Sequence, residues 1–513
     1  MRKLLIANRS EIAVRIIRAC REMGISPVAV YSDCDRTAMH VRMADEAYAI
    51  GPSEPGESYL RIDRLIDAAR QSGADAVHPG YGFLAENEDF AAAVRDAGLT
   101  FVGPTPHAIA TMGSKTEART AAMRAGVPVV PGSETSLDSG VSDAAIATLA
   151  GSMGYPLLVK AVAGGGGKGM RTVDTPADLA GAVRAARSEA GSAFGNPAVY
   201  LERRLLQPRH IEVQVLGDAH GTVLPFVERE CSIQRRHQKV VEETPSPVVS
   251  PALRAAMASA AARVAQAVGY TNAGTVEFLL AADGSFYFLE MNTRLQVEHP
   301  ITEMVTGLDL VRWQIRIARG ERLDVDPAAL LAPRGHAIEC RIYAEDPDSG
   351  FLPSPGRIAY LRTPGGPGIR DESAAAAGLD VPIFYDPLIS KLIAWAEDRP
   401  MAIARMRRAL GEYLVAGIKT TVPFFSWLLA QPEFVDGRFH TSSLDEILAS
   451  RNGRPFVEPA ADIEEIAAIA AALHTALSVS SWRPASAGPG AGEGGSTVAR
   501  WKTDARLDGL RGL

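Results

Sequence analysis

Thr275-Val276-Glu277-Phe278-Leu279-Leu280-Ala281-Ala282-Asp283-Gly284-Ser285-Phe286-Tyr287-Phe288-Leu289-Glu290-Met291-Asn292 reads as two strands, 275–280 and 286–290, joined by a turn. Asp-Gly between apolar runs is a strong signal for a two-residue hairpin loop. With Asp283-Gly284 as that loop, Ala282 pairs with Ser285. Counting back five residues on each side then sets Glu277 opposite Glu290. Like charges facing each other across a strand pair are destabilising. A divalent cation relieves the repulsion, and Asn292, two residues beyond Glu290, points to the same face. Oxygen donors alone suit Mg²⁺ or Mn²⁺ shared with substrate phosphates. A solvated acidic pair is the simpler alternative, and the apolar residues around both glutamates favour the metal. A bulge in either strand would shift the register by one.

Upstream, residues 1–110 alternate strand and helix. Strands are expected at 3–7, 27–31, 76–78 and 100–102, and helices at 11–23, 59–70 and 89–97. Such alternation implies a parallel sheet wound with helices on both faces. Residues 115–205 look like a small mobile subdomain, with strands at 157–161 and 171–173 flanking a glycine-rich stretch. Strands recur at 211–216 and 223–228, and helices at 252–268, 402–414 and 421–430. The expected divisions are 1–114, 115–205, 206–446 and 447–513. The last holds a helix at 461–479, a flexible linker at 484–496 and a terminal segment, 500–513, that reads either as a docking peptide or as a frayed end.

The glycine stretch is Lys160-Ala161-Val162-Ala163-Gly164-Gly165-Gly166-Gly167-Lys168-Gly169. It opens no helix and lacks Ser or Thr after Lys168, so it is neither a dinucleotide fingerprint nor a Walker A loop. A glycine hairpin can instead fold over nucleotide phosphates and offer them backbone N–H groups, though such loops also serve as plain linkers. Only eight of the 53 basic residues are lysine. Four of them, Lys115, Lys160, Lys168 and Lys239, fall in the motifs, where a compact ammonium differs from a planar guanidinium.

Composition narrows the class. At 513 residues, 47% apolar, the chain can bury several cores, and its net charge of −7 with no basic run argues against nucleic acid as the main partner. Four cysteines without a Cys-x-x-Cys pair fit reduced thiols of a cytoplasmic protein. The first apolar run ends at Asn8-Arg9, too early for a signal peptide, and no stretch is long enough to span a bilayer.

Further motifs carry a family likeness. Glu290-Met291-Asn292-Thr293-Arg294-Leu295-Gln296-Val297-Glu298-His299, His78-Pro79-Gly80-Tyr81-Gly82-Phe83-Leu84-Ala85-Glu86-Asn87 and Glu230-Cys231-Ser232-Ile233-Gln234-Arg235-Arg236-His237-Gln238-Lys239 closely resemble the biotin carboxylase branch of the ATP-grasp superfamily. Leu5-Ile6-Ala7-Asn8-Arg9, Phe351-Leu352-Pro353-Ser354-Pro355-Gly356 and Tyr385-Asp386-Pro387 agree, so the likeness runs through residues 1–446. The departure is Ser10, where the family carries glycine; serine there is expected to cap a helix.

The resemblance implies an α/β and α+β chain. Its ATP-grasp fold would have a doubly wound N-terminal domain, a mobile glycine-loop lid and a β-rich C-terminal domain. It implies ATP contacts at Lys115, Lys160, the loop 164–169, Met170, Glu202, Arg203, Leu205, His210, Gln234 and His237. It implies metal ligands at Glu277, Glu290 and Asn292, with two Mg²⁺ or Mn²⁺ ions, and a bicarbonate site at Lys239, Arg294, Gln296, Val297 and Glu298. Glu298 would be the general base, and Arg341 and His237 would face biotin. A biotin attachment site sets a lysine between two methionines; none of the eight lysines here has a methionine neighbour. The expected partners are therefore a separate biotin carboxyl carrier protein, a second copy in a homodimer and a carboxyltransferase subunit. The final acceptor is open among acetyl-CoA, other acyl-CoA esters and pyruvate. Another ATP-grasp ligase and a non-catalytic ATP-binding scaffold are the competing readings; the biotin-facing residues argue against the first and the intact acidic set against the second.

Overall fold

Leu4, Leu5 and Ile6 are wholly buried because β1 (Lys3–Ile6) lies at the centre of a sheet covered on both faces. The computed structural model describes residues 1–133, 136–138, 140–162, 170–457 and 461–480. After β1, α1 (Ser10–Glu22) buries Ile12, Ile16, Ile17 and Cys20 at helical spacing. Strands β2 (Ser26–Ser32), β3 (Glu46–Gly51), β4 (Ala76–His78) and β5 (Thr100–Phe101) complete an all-parallel sheet of order β3-β2-β1-β4-β5. This is the doubly wound domain expected. The sequence pattern does not announce β3, because Glu46-Ala47-Tyr48-Ala49 is a weak strand former on a half-exposed edge.

Ser10 does not cap α1. It is the first helical residue, at φ +58°, and Arg9 takes the capping position with its guanidinium on Asp35 at 2.6 and 2.7 Å. A left-handed conformation costs a side-chain-bearing residue energy that glycine escapes, so the departure from the family falls where glycine is physically cheapest.

α2 (Lys115–Arg124) leads to a three-stranded antiparallel sheet, β6 (Leu157–Ala161), β7 (Met170–Val173) and β8 (Val199–Arg203), ordered β7-β6-β8. α3 (Leu179–Phe194) packs Val183 and Ala186 onto Leu157 and Val159. The glycine loop 164–169, expected to close as a lid, lies outside the described residues, as do the linker 484–496 and the segment 500–513.

Apart from three short two-stranded pairs, the remaining strands form one eight-stranded antiparallel sheet. They are β9 (Arg209–Gly217), β10 (Val223–Arg235), β11 (Gln238–Thr244), β12 (Asn272–Leu280), β13 (Phe286–Asn292), β14 (His336–Tyr343), β15 (Ile369–Ser373) and β16 (Leu388–Ala396). The order is β13-β12-β9-β10-β11-β14-β16-β15. α4 (Pro251–Ala267) covers one side, packing Met257, Ala261 and Val264 against Val213, Val215 and Val276. On the other side α5 (His299–Thr306) sets Ile301 and Val305 against Ala337 and Ile393. A second unit begins at Val457 and holds α6 (Ala461–Ser480). Among the described residues no helix is long and apolar enough to cross a membrane.

Two buried histidines each contribute stability that acid removes. Burial holds His40 at a pKa of about 4 and His78 at about 3, below the ordinary 6.5. Between those values and 6.5 the unfolded chain takes up protons that the folded chain refuses. Their contribution is complete above pH 6.5 and is lost as pH falls. Each should cost about 2 kcal/mol of stability by pH 5. Thermal melts at pH 7 and pH 5 are expected to show that a His40→Asn/His78→Asn variant loses less midpoint, or gains more, on acidification than wild type, the raised carboxyls of Glu11, Glu242 and Asp371 acting in the opposite sense in both proteins; an equal pH dependence of the two would contradict the neutral burial of these rings.

Candidate active site

The β12–β13 hairpin places Glu277 opposite Glu290, as the sequence implies, but by a different path. The loop has three residues, not two: Ala281 pairs with Ser285, and Gly284 closes the turn at φ +85°. Near the tip Phe278 pairs with Phe288; the ladder then skips Leu289, and this bulge restores Glu277 to Glu290. The bulge decides where the carboxylates point. Phe286, Phe288 and Met291 pack into the core, whereas Glu290 and Asn292 line a cavity with Glu277. Strict alternation after Phe288 would have turned Glu290 into the apolar core.

The cavity, of about 640 Å³, gathers nearly every residue singled out above. Lys115 and Lys160 line it with Met170, Glu202, Arg203, Leu205, His210 and Gln234. So do His237, Lys239, Arg294, Gln296, Val297 and Arg341. Glu298 does not line it; its carboxylate is fully buried behind Lys239 and Arg341. Lys168 and its neighbouring glycines lie outside the described residues.

Lys239 organises the floor. From β11 its ammonium donates to Glu212 at 2.5 Å, Glu277 at 2.8 Å and Glu298 at 2.7 Å. Glu277 also sits 3.0 Å from His210 and accepts from Asn292 at 2.9 Å and Gln296 at 3.1 Å. Burial alone would raise its pKa, but Lys239 and His210 hold it far below the ordinary carboxylate range. Glu290 moves the other way, raised by desolvation inside the cavity, to which its side chain is open, and by the charge of Glu277. Two oxygen donors face each other, one of them crowded by the other's charge, which fits a divalent cation.

Glu298 stands at the start of α5 and joins Lys239 to Arg341, which donates to it at 2.9 Å. Burial opposes its charge, but Lys239, Arg341 and Arg229 keep the carboxyl well below its usual value. Arg341 also donates to Glu242 at 2.7 Å, whose carboxyl burial pushes up to about 7. His237 occupies the β10–β11 turn with Arg236, at φ +66° and +50°; left-handed pairs of this kind form two-residue hairpins but usually use Asn-Gly. On the opposite wall Lys160 pairs with Glu202, which lies 3.6 Å from Arg119. Burial lowers the Lys115 ammonium, and nearby Lys160 adds to that effect while Glu290 opposes it.

Three contributors receive no site role from the sequence, although Glu86 lies within a quoted motif. Arg229, fully buried, donates to Glu212, to Gln214 at 3.0 Å, to Thr302 at 2.9 Å and to Thr275 at 3.1 Å. Glu212 has a signal: His210, Glu212 and Gln214 alternate along an apolar strand, a polar stripe of period two. Glu86 accepts from Arg294 at 2.8 Å and from the Thr293 N–H at 2.9 Å, tying a motif of the N-terminal domain to the loop after β13.

Replacing Arg229 with alanine would leave Glu212 and Lys239 in a changed charge balance and strip four polar partners at once. Arg229→Ala should cost about 3–5 kcal/mol of stability, read by urea or thermal unfolding. A loss under ~1 kcal/mol would show that this buried guanidinium is dispensable.

Family models match three successive stretches of the chain. These are the biotin carboxylase N-terminal domain over 1–109, the carbamoyl-phosphate synthase L chain ATP-binding domain over 114–326 and the biotin carboxylase C-terminal domain over 339–446. A biotin carboxylase of Nostoc sp. is 52% identical over 445 residues, covering 87% of this chain and 99% of that one. One of the pyruvate carboxylase subunits of Methanothermobacter thermautotrophicus is also 52% identical over 445 residues, covering 86% and 89%. A solved biotin carboxylase domain dimer of Hydrogenobacter thermophilus 2-oxoglutarate carboxylase, in complex with MgADP, ADP and bicarbonate, has a TM-score of 0.83 at 47% identity, covering 90% of this chain and 99% of that one. On sequence and fold together, this chain belongs to the biotin carboxylase family, as an ATP-dependent carboxylase ligase of the ATP-grasp type.

Proposed function

We propose that the chain carries out the first half-reaction of an acetyl-CoA or other acyl-CoA carboxylase, using ATP and bicarbonate to carboxylate biotin borne by a separate carrier protein. One observation carries this reading: Lys239 and the buried Glu298 behind it link Glu277, which faces Glu290, to Arg341 at a single cavity. In this reading the ATP phosphates lie against Lys115 and Lys160, and the base and ribose lie toward Glu202, Leu205, His210 and Gln234. Glu277 and Glu290, with Asn292, would hold magnesium; manganese suits the same donors. A bound ion there would draw negative charge from the phosphoryl oxygens.

Lys239, Arg294, Gln296 and Val297 would cradle bicarbonate. A bicarbonate oxygen attacks the γ-phosphorus, the bond to the ADP oxygen breaks, and Glu298 takes the bicarbonate proton. The ion pairs that hold Glu298 ionised keep it available as an acceptor at neutral pH. Carboxyphosphate, once formed, releases CO₂ and phosphate, and the phosphate removes the N1 proton of biotin. Arg341 neutralises the charge that then gathers on the ureido oxygen, and N1 attacks CO₂. Closure over the cavity would keep water from carboxyphosphate.

That biotin is borne outside the residues of this sequence is supported by the lack of a methionine beside any of its lysines. The acceptor would be set by a carboxyltransferase subunit. Membership of a pyruvate carboxylase is the second reading, favoured by the 52% identity to the Methanothermobacter protein. The Hydrogenobacter relative is a dimer, which supports a homodimer here.

ADP release should require bicarbonate and rise on adding free biotin. Arg341→Ala and Glu298→Ala should each lower biotin carboxylation about 100-fold or more, with ADP affinity within about threefold of wild type. Normal turnover of either variant would refute its assigned role, and release that ignores both bicarbonate and biotin would refute the reading as a whole.

A further inference from the structure

Lys391 is fully buried, in a chain that otherwise writes almost every positive charge as arginine. It lies on β16, directly beside Arg341 of β14 in the sheet register. Its ammonium donates to the main-chain carbonyl of Val297 at 3.0 Å. It forms an ion pair with Glu11 of α1 at 3.3 Å and stands 5.5 Å from the centre of the Tyr81 ring. Val297 itself lines the cavity between Gln296 and the buried Glu298.

A buried ammonium is costly unless it is paired and hydrogen-bonded. Glu11 supplies the countercharge, and the Val297 carbonyl is where Lys391 meets the 294–298 segment. Anchoring this carbonyl fixes the orientation of the peptide units on either side of Val297. A guanidinium, planar and larger, would crowd a slot closed by Glu11, Tyr81 and β14.

From this we infer that Lys391 is a positioning residue for bicarbonate: by holding the Val297 carbonyl, it sets the main chain of the bicarbonate loop against the cavity. The inference rests on the bicarbonate role proposed above for residues 294–298. Lys391 reacts with nothing; it acts through Val297.

The test is steady-state kinetics of ADP release on the full chain, with bicarbonate and ATP varied separately, alongside thermal melts. Lys391→Met should raise the bicarbonate KM roughly tenfold or more, the scale of a lost charge-assisted hydrogen bond, and leave the ATP KM within about threefold. It also strands the buried Glu11 carboxylate. The double variant Glu11→Gln/Lys391→Met removes that unpaired charge and should recover melting temperature without recovering bicarbonate affinity. Glu11→Gln alone keeps the Lys391–Val297 contact and should change the bicarbonate KM less than about threefold. The inference is overturned if the folded double variant binds bicarbonate as wild type does, or if Glu11→Gln raises the bicarbonate KM as much as loss of Lys391. Should Lys391→Met not fold, the double variant decides. Wild-type ADP release that ignores bicarbonate would instead remove the underlying functional reading.

Discussion

One buried ammonium surrounded by three carboxylates holds the active site together. Neither side of the Lys239 cluster could be buried alone, because an isolated charge in the interior is prohibitively costly. Glu212 comes from β9, Glu277 from β12 and Glu298 from the start of α5, so a single charge on β11 draws three separate elements to one point. The network then extends outward, through Glu212 to Arg229 and through Glu298 to Arg341 and Glu242. The result is an ionic floor in which each charge fixes the ionisation of the next. Glu277 and Glu298 are held acidic by cations, while Glu242 is pushed the other way by burial and Glu290 by desolvation in the cavity and the charge of Glu277.

The N-terminal domain reaches this floor through its loops and the first turn of α1. Glu86 grips Arg294, Glu11 balances Lys391, and Arg9 stacks 4.2 Å from the Tyr385 ring while bound to Asp35. The opening Asn8-Arg9 motif and Tyr385-Asp386-Pro387 thus belong to one joint between the parallel sheet and the far end of the antiparallel one. Asn8 itself donates to the carbonyls of Pro79 and Tyr81, bracing the glycine-containing loop that carries Glu86. These motifs, scattered as isolated signatures along the chain, are mutual supports in space.

Legibility followed the physics of burial. The doubly wound domain is readable because its strands are short apolar runs separated by periodic helices. The residues that gather at the cavity are readable because they fall in specific motifs. β14 and β16 are not: His336-Ala337-Ile338-Glu339-Cys340-Arg341-Ile342-Tyr343 alternates polar and apolar like a half-exposed strand, yet all eight residues are buried. Its polar face lies beneath the ionic floor rather than in water, a situation composition cannot distinguish. Arg229 escapes notice for the same reason, since an arginine between Glu228 and Glu230 reads as part of a solvated charge run, with no spacing to betray its four partners. Ser10 reads as a cap from its hydroxyl, but its backbone conformation is what matters at that position.

Leu289, the extra residue in β13, has a consequence for how this hairpin tolerates change. It works as a phase shifter: the tip of the strand is locked to the apolar layer by Phe286 and Phe288, while the base keeps the opposite parity toward the nucleotide side. The outer edge at Phe288 is sealed by its N–H bond to the Pro128 carbonyl at 2.7 Å, so the tip cannot swing to compensate. Lengthening or shortening the turn is therefore absorbed beyond Phe288, whereas losing one residue between Phe288 and Glu290 would invert the parity and bury an acid in oil.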